Sequence, residues 1–94
     1  MIEIKIEDNA KKGRFVLLEE GKEAGEMTFT WAGEQKLIID HTGIGEEHGG
    51  KGYGKMLLAK AVEFAREKDI KVIPLCPFAK AMIDRDPSIQ DILA

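Results

Sequence analysis

Gly45-Glu46-Glu47-His48-Gly49-Gly50-Lys51-Gly52-Tyr53-Gly54-Lys55 ends a series of short strand-like segments and opens the one long helical pattern of the chain. Four glycines in the six residues from 49 to 54 exceed what packing asks for, because each loses more backbone freedom on folding than any other residue and buries no side chain. Such a loop suits a backbone that a ligand must approach closely. The helix that follows offers free N–H groups and the positive end of its dipole, the arrangement that receives phosphate, and Lys51 and Lys55 add charge beside it.

Upstream of the loop the hydrophobic period is two. Ile2, Ile4 and Ile6 alternate with Glu3, Lys5 and Glu7, and Asp8-Asn9 with Lys12-Gly13 supplies a turn into a second strand over Arg14–Glu19. Glu20-Gly21-Lys22 turns the chain into Ala24–Trp31, where Met27, Phe29 and Trp31 share a face. After Ala32-Gly33-Glu34 comes a fourth strand over Lys36–Thr42; its unalternating centre Leu37-Ile38-Ile39 predicts burial on both faces and a central place in the sheet. If its alternation continues, His41 shares a face with Leu37 and Ile39.

Downstream the period becomes 3.6. Leu57, Leu58, Ala61, Val62, Phe64 and Ala65 form the buried stripe of a helix from Gly52 to Lys68, with Lys60, Glu63 and Glu67 on the solvated side. Lys71 to Cys76 predicts a short fifth strand, parallel to the fourth because a helical crossover leads to it. Pro74 has no N–H and therefore marks a place where two strands part, which would open a slot beside the glycine loop. A short helix from Pro77 to about Asp84 and a last apolar turn ending at Leu93 complete a single domain over 1-94: a mixed sheet of about five strands, in the α/β (α+β) class, with one long and one or two short helices.

Composition narrows the function. A net charge of −3 argues against a general nucleic-acid binder, and no apolar run is long enough to span a bilayer. One cysteine permits no intrachain disulfide, and no basic segment with an apolar block follows Met1, so a reducing cytoplasm is the expected compartment. Two histidines seven residues apart and one cysteine do not match a zinc spacing, so no metal site is expected. A nucleotide-binding P-loop fits Gly49, Gly54 and Lys55 but needs Ser or Thr where Met56 stands. The dinucleotide fingerprint fails in both frames, at Lys55 and at Leu57.

Antiparallel strands, a G-x-G-x-G loop, a helix with Leu57-Leu58 in its second turn and a fifth strand together resemble the GNAT superfamily of N-acetyltransferases. The short single-domain branch is the nearest in form, through His41-Thr42-Gly43-Ile44, Gly50-Lys51-Gly52-Tyr53-Gly54-Lys55-Met56-Leu57-Leu58 and Ile73-Pro74-Leu75-Cys76-Pro77-Phe78-Ala79-Lys80. The resemblance implies that acetyl-coenzyme A binds with its pyrophosphate on the loop amides of Gly49, Gly50, Lys51, Gly52, Tyr53, Gly54 and Lys55. It implies that the pantetheine arm lies between the fourth and fifth strands, against Asp40, His41, Thr42, Gly43 and Ile44 on one side and Cys76 and Phe78 on the other. Superfamily members often carry Arg or Gln three residues before the paired glycines, where this chain has Gly49, and a tyrosine acid where it has Met82.

The implied reaction is transfer of acetyl from coenzyme A to a small-molecule or protein amine. With no tyrosine at position 82, Cys76 is the expected substitute, as acid or as acyl-carrying nucleophile; its alternative is a buried small hydrophobe. His41 is expected as a polar wall of the slot or a base, alternatively as a rim histidine with a satisfied hydrogen bond. His48 is expected in solvent, and Phe15, Phe29 and Trp31 in the core. A coenzyme A-binding module without turnover is the opposing class, and an interaction protein with a vestigial loop is the third. Acceptor and oligomeric state have no signature in the chain.

Overall fold

The alternation of isoleucine and charge does form the first strand of the sheet. The computed structural model describes residues 1–94, with β1 at Ile2–Asp8, β2 at Lys12–Glu19, β3 at Lys22–Trp31, β4 at Lys36–Ile44 and β5 at Lys71–Pro74. They lie in the order β1-β2-β3-β4-β5; the first four are antiparallel neighbours, and β5 runs parallel to β4. Between β2 and β3, Glu20 and Gly21 take φ of 51° and 80°, the two successive left-handed residues that match a tight hairpin to strand twist. Two helices follow from the change of period, α1 at Tyr53–Lys68 and α2 at Pro77–Asp84. Short 3-10 turns cover Glu46–His48 and Pro87–Ile92; the first of these falls in the stretch read as open loop.

α1 lies across one face of the sheet, where Phe15, Leu17, Met27, Phe29, Leu37, Ile39 and Val72 meet its Leu57, Ala61, Phe64 and Ala65. Phe15, Phe29 and Phe64 form an aromatic cluster with centroids 5.1 to 6.1 Å apart, and Trp31 closes it at 6.2 Å from Phe64. Tilted and edge-on pairs of this kind contribute about 0.5–1.5 kcal/mol each beyond the area they bury. The other face has no helix over it. Arg14, Glu26, Thr28 and Thr30 occupy it, and the Arg14 guanidinium bonds Glu7, Glu23 and Glu26 at 2.8 to 3.0 Å.

This one-sided cover corrects the expectation for the fourth strand. Leu37 and Ile39 are fully buried, but Ile38 points to the open face and is only half-buried. β4 lies inside the sheet yet second from its edge, because β5 is the last strand. That edge is covered in turn by the chain end, where Leu93 bridges Val72 and the Ala94 N–H donates to the Val72 carbonyl at 3.0 Å. β5 is also shorter than expected: it ends at Pro74, and Cys76 caps α2 instead of continuing the strand. Neither helix is long and apolar enough to cross a membrane.

Candidate active site

The glycine loop and the first turn of α1 make a concave row of backbone donors. Gly50 and Gly52 have φ of 80° and 78°, a conformation that a Cβ opposes, and Gly52 is the residue at which α1 begins. The first helical bond runs from the Met56 N–H to the Gly52 carbonyl at 3.2 Å, and no N–H group of residues 50–55 has an acceptor within the chain. These donors, at the positive end of a 16-residue helix, border a cleft of about 490 Å³. Of the residues named from the sequence, Thr42, Ile44, Gly49, Gly50, Gly52, Tyr53, Gly54, Lys55 and Phe78 line it. Asp40, His41, Gly43, Lys51 and Cys76 do not.

A bulge in β4 separates these two groups. Thr28 pairs with His41 but Phe29 pairs with Ile39, so Asp40 is one residue too many for its partner strand. The extra residue shifts the alternation. Leu37 and Ile39 face the core, but from there it is Thr42, opposite Met27, and Ile44 that return to that face. His41 therefore does not share a face with Leu37 and Ile39; it lies opposite Thr28 on the open side of the sheet, exposed, with Gly43 beside it. Asp40 lies on the same open side, where its carboxylate accepts from the Thr30 hydroxyl at 2.7 Å.

The parting of β4 and β5 comes where proline placed it. Pairing ends at Ile39 and Pro74, and the N–H groups of Leu75 and Cys76 then both donate to the single carbonyl of Ile39, at 3.1 and 3.0 Å. Beyond Ile39 the edge of β4 has no strand beside it on that flank. Cys76 lies at the base of this gap, 3% exposed, and its thiol donates to Thr42 Oγ1 at 3.3 Å. Burial pushes the thiol up, but Thr42 and the N–H groups of Ala79 and Phe78 at the start of α2 favour the thiolate and leave it below its ordinary 9.0. The sulfur makes no capping hydrogen bond to the helix, so those N–H groups act as nearby dipoles.

Three features of the cleft went unread in the sequence. Phe78, 36% exposed, packs its ring on Gly54, where a Cβ would lie 2.6 Å from the ring's Cζ; that glycine makes room for the chain itself. His48 is not solvated: its side chain is 15% exposed, borders the cleft and packs against Tyr53 with centroids 5.9 Å apart. Its Nδ1 is buried without a hydrogen bond, 3.5 Å from the Glu19 carboxylate. Tyr53 points beneath the loop and donates its hydroxyl to Glu19. That hydrogen bond, with burial and the carboxylate charge, raises the phenol to about 12, while Tyr53 and Lys51 hold Glu19 below the usual carboxylate range. The signal for Glu19 was present in Phe15-Leu17-Glu19, whose alternation puts the carboxylate on the helix-bearing face.

Comparison with known proteins bears on this arrangement. A family model described as GCN5-related N-acetyl-transferase matches residues 14–92. The solution structure of a Staphylococcus aureus protein described as a GCN5-like N-acetyltransferase candidate is 37% identical, with a TM-score of 0.72, covering 96% of this chain and 87% of that one. A ribosomal-protein-alanine N-acetyltransferase from Brucella melitensis is 18% identical with a TM-score of 0.70, and covers 82% of this chain and 62% of that one. A GNAT family acetyltransferase from Elizabethkingia anophelis, solved with acetyl-CoA bound, is 12% identical with a TM-score of 0.68, covering 78% and 63%. At such identities the last two share the fold, and this chain spans under two thirds of their length. No curated protein sequence matches the chain.

Proposed function

The chain belongs to the GCN5-related N-acetyltransferase family, and on that basis we propose that residues 1–94 are one N-acetyltransferase domain that binds acetyl-coenzyme A in the cleft and transfers acetyl to an amine. The observation that carries this reading is the row of N–H groups from 50 to 55 without internal acceptors, at the mouth of a helix and beside a gap between strands. A pyrophosphate supplies several acceptor oxygens for such donors, and charge-assisted hydrogen bonds to them are stronger than neutral ones. The gap beyond Ile39 suits the extended pantetheine arm, with Thr42, Ile44 and Phe78 as its walls.

Acetyl transfer moves the carbonyl carbon from sulfur to nitrogen and one proton from nitrogen to sulfur. The chain's own groups are arranged for the proton. Thr42 borders the cleft, and its hydroxyl is bonded to the Cys76 thiol. In this reading the departing thiolate takes the Thr42 hydroxyl proton, Thr42 takes the proton of Cys76, and the Cys76 thiolate is held by the N–H dipoles at the start of α2 until the amine's proton returns to it. Burial of the sulfur favours this relay over an acyl-cysteine. The acceptor would arrive from the open face, where His41 and Asp40 stand at the bulge, with His41 as the candidate base that takes the extra proton of an incoming ammonium before attack.

Titration with coenzyme A by calorimetry, followed by thiol release from acetyl-coenzyme A over a panel of amines, tests the proposal. Binding should raise the melting temperature, since a ligand at a hundredfold excess over Kd stabilises the folded state by about 2.7 kcal/mol. No heat and no shift at millimolar coenzyme A would overturn the cofactor assignment. Binding without thiol release from any amine would leave a binding module.

A further inference from the structure

Glu19 is a carboxylate placed directly under a surface that, on the reading above, receives a polyanion. A negative charge there opposes phosphate binding unless the side chain serves the site in another way. Its contacts show which way. The carboxylate accepts the hydroxyl of buried Tyr53, pairs with the Lys51 ammonium at 3.1 Å, and faces His48 Nδ1 at 3.5 Å. These three residues are spaced along the loop and the first helical residue, whereas Glu19 belongs to the sheet, at the end of the Phe15-Leu17-Glu19 stripe. The other ties lie at its two ends, the Gly49 N–H on the Glu46 carbonyl before it and the Gly52 carbonyl, the Tyr53 ring and the Phe78 ring on Gly54 at the helix start. The N–H groups of residues 50–55 have no internal partners, and Gly50 and Gly52 leave the backbone free to sample other conformations.

We propose that Glu19 is the positioning residue of the loop, a clamp from β2 that holds Lys51 and Tyr53 from beneath so that the N–H groups of residues 50–55 stay aimed into the cleft before any ligand enters. A preorganised row of donors binds more tightly than one that must be ordered on arrival. Lys51 is then a loop anchor whose charge is largely spent on Glu19, while Lys55, which lines the cleft and has no ion pair, is the lysine left for the ligand.

The proposal rests on the coenzyme A reading only for its affinity arm. Backbone 15N order parameters of the unliganded protein test the clamp itself: Glu19→Ala and Tyr53→Phe should lower them across residues 49–55 and leave β3 and β4 unchanged, and Glu19→Gln, which keeps an acceptor for Tyr53, should restore most of the order. Unchanged order parameters in Glu19→Ala overturn the proposal whatever the ligand. In the second arm, Glu19→Ala should bind coenzyme A about tenfold more weakly and Glu19→Ala/Tyr53→Phe no worse than that, as expected for two partners of one charged hydrogen bond. S-acetylpantetheine, which lacks the pyrophosphate, should bind wild type and variants alike. Tighter coenzyme A binding by Glu19→Ala would mean that its charge matters more than its grip, and also overturns the proposal. Failure of the wild type to bind coenzyme A refutes the cofactor reading alone, and the order parameters still decide the clamp.

Discussion

Replacing Gly52 separates backbone strain from ligand access. Its φ is 78°, and a Cβ built on it meets no atom within 4 Å, so the open space in front of it is the cleft rather than the core. Alanine in a left-handed conformation costs roughly 1–2 kcal/mol, and in a domain of this size each kcal/mol lowers the melting temperature by about 4–8 °C. Gly52→Ala should therefore melt about 4–16 °C below wild type. Asparagine tolerates the left-handed region, so Gly52→Asn should melt close to wild type while still placing a side chain before the donor row. For binding, displacing a phosphate from one such donor forfeits a charge-assisted hydrogen bond of about 1.5–3 kcal/mol, or roughly ten- to hundredfold in Kd. Calorimetry with coenzyme A and thermal melts on the same samples measure both quantities. If Gly52→Asn and Gly52→Ala are folded and bind coenzyme A as wild type does, the loop does not hold the phosphates.

At Cys76, the low exposure predicts slow alkylation of the apo protein; Cys76→Ser should keep coenzyme A affinity while acetyl transfer falls at least about tenfold through the weaker acid, and unchanged turnover in Cys76→Ala would remove the thiol from the proton path. Tyr53 is the only tyrosine, so phenolate absorbance reports it alone, with a midpoint near 12 in the folded protein. Because the folded value lies above the ordinary 10, the Tyr53–Glu19 bond contributes stability below pH 10 that is lost as pH rises toward 12. Tyr53→Phe should lack that alkaline loss, and a folded-state midpoint at 10 would show that the hydroxyl is free. On the acid side the sign is opposite: Glu19, lowered from 4.5, contributes stability above that value which is lost as pH falls below it, and in Glu19→Gln melting this part of the acid loss should be missing.

Periodicity along the chain was enough for the elements themselves. Ile2-Ile4, Met27-Phe29-Trp31 and the Leu57-to-Ala65 stripe each record, in adjacent residues, which face meets the core, although Ile6 at the end of the first alternation stays exposed, and Pro74 marks the end of strand pairing because a missing N–H is a property of the residue and not of its surroundings. The glycine loop was legible for the same reason. What the chain alone did not determine depends on partners distant in sequence. The bulge at Asp40 exists only in the pairing of β4 with β3, and it moves His41 to the open face and Thr42 into the cleft, exchanging the residues that simple alternation assigns. The half-exposure of Ile38 depends on no helix crossing that side of the sheet. Glu19, His48 and Tyr53 meet only when the end of β2 is brought under the start of α1, more than thirty positions along the chain for Tyr53. Local sequence carries the direction in which a side chain points, but which charge lies opposite it is decided by packing.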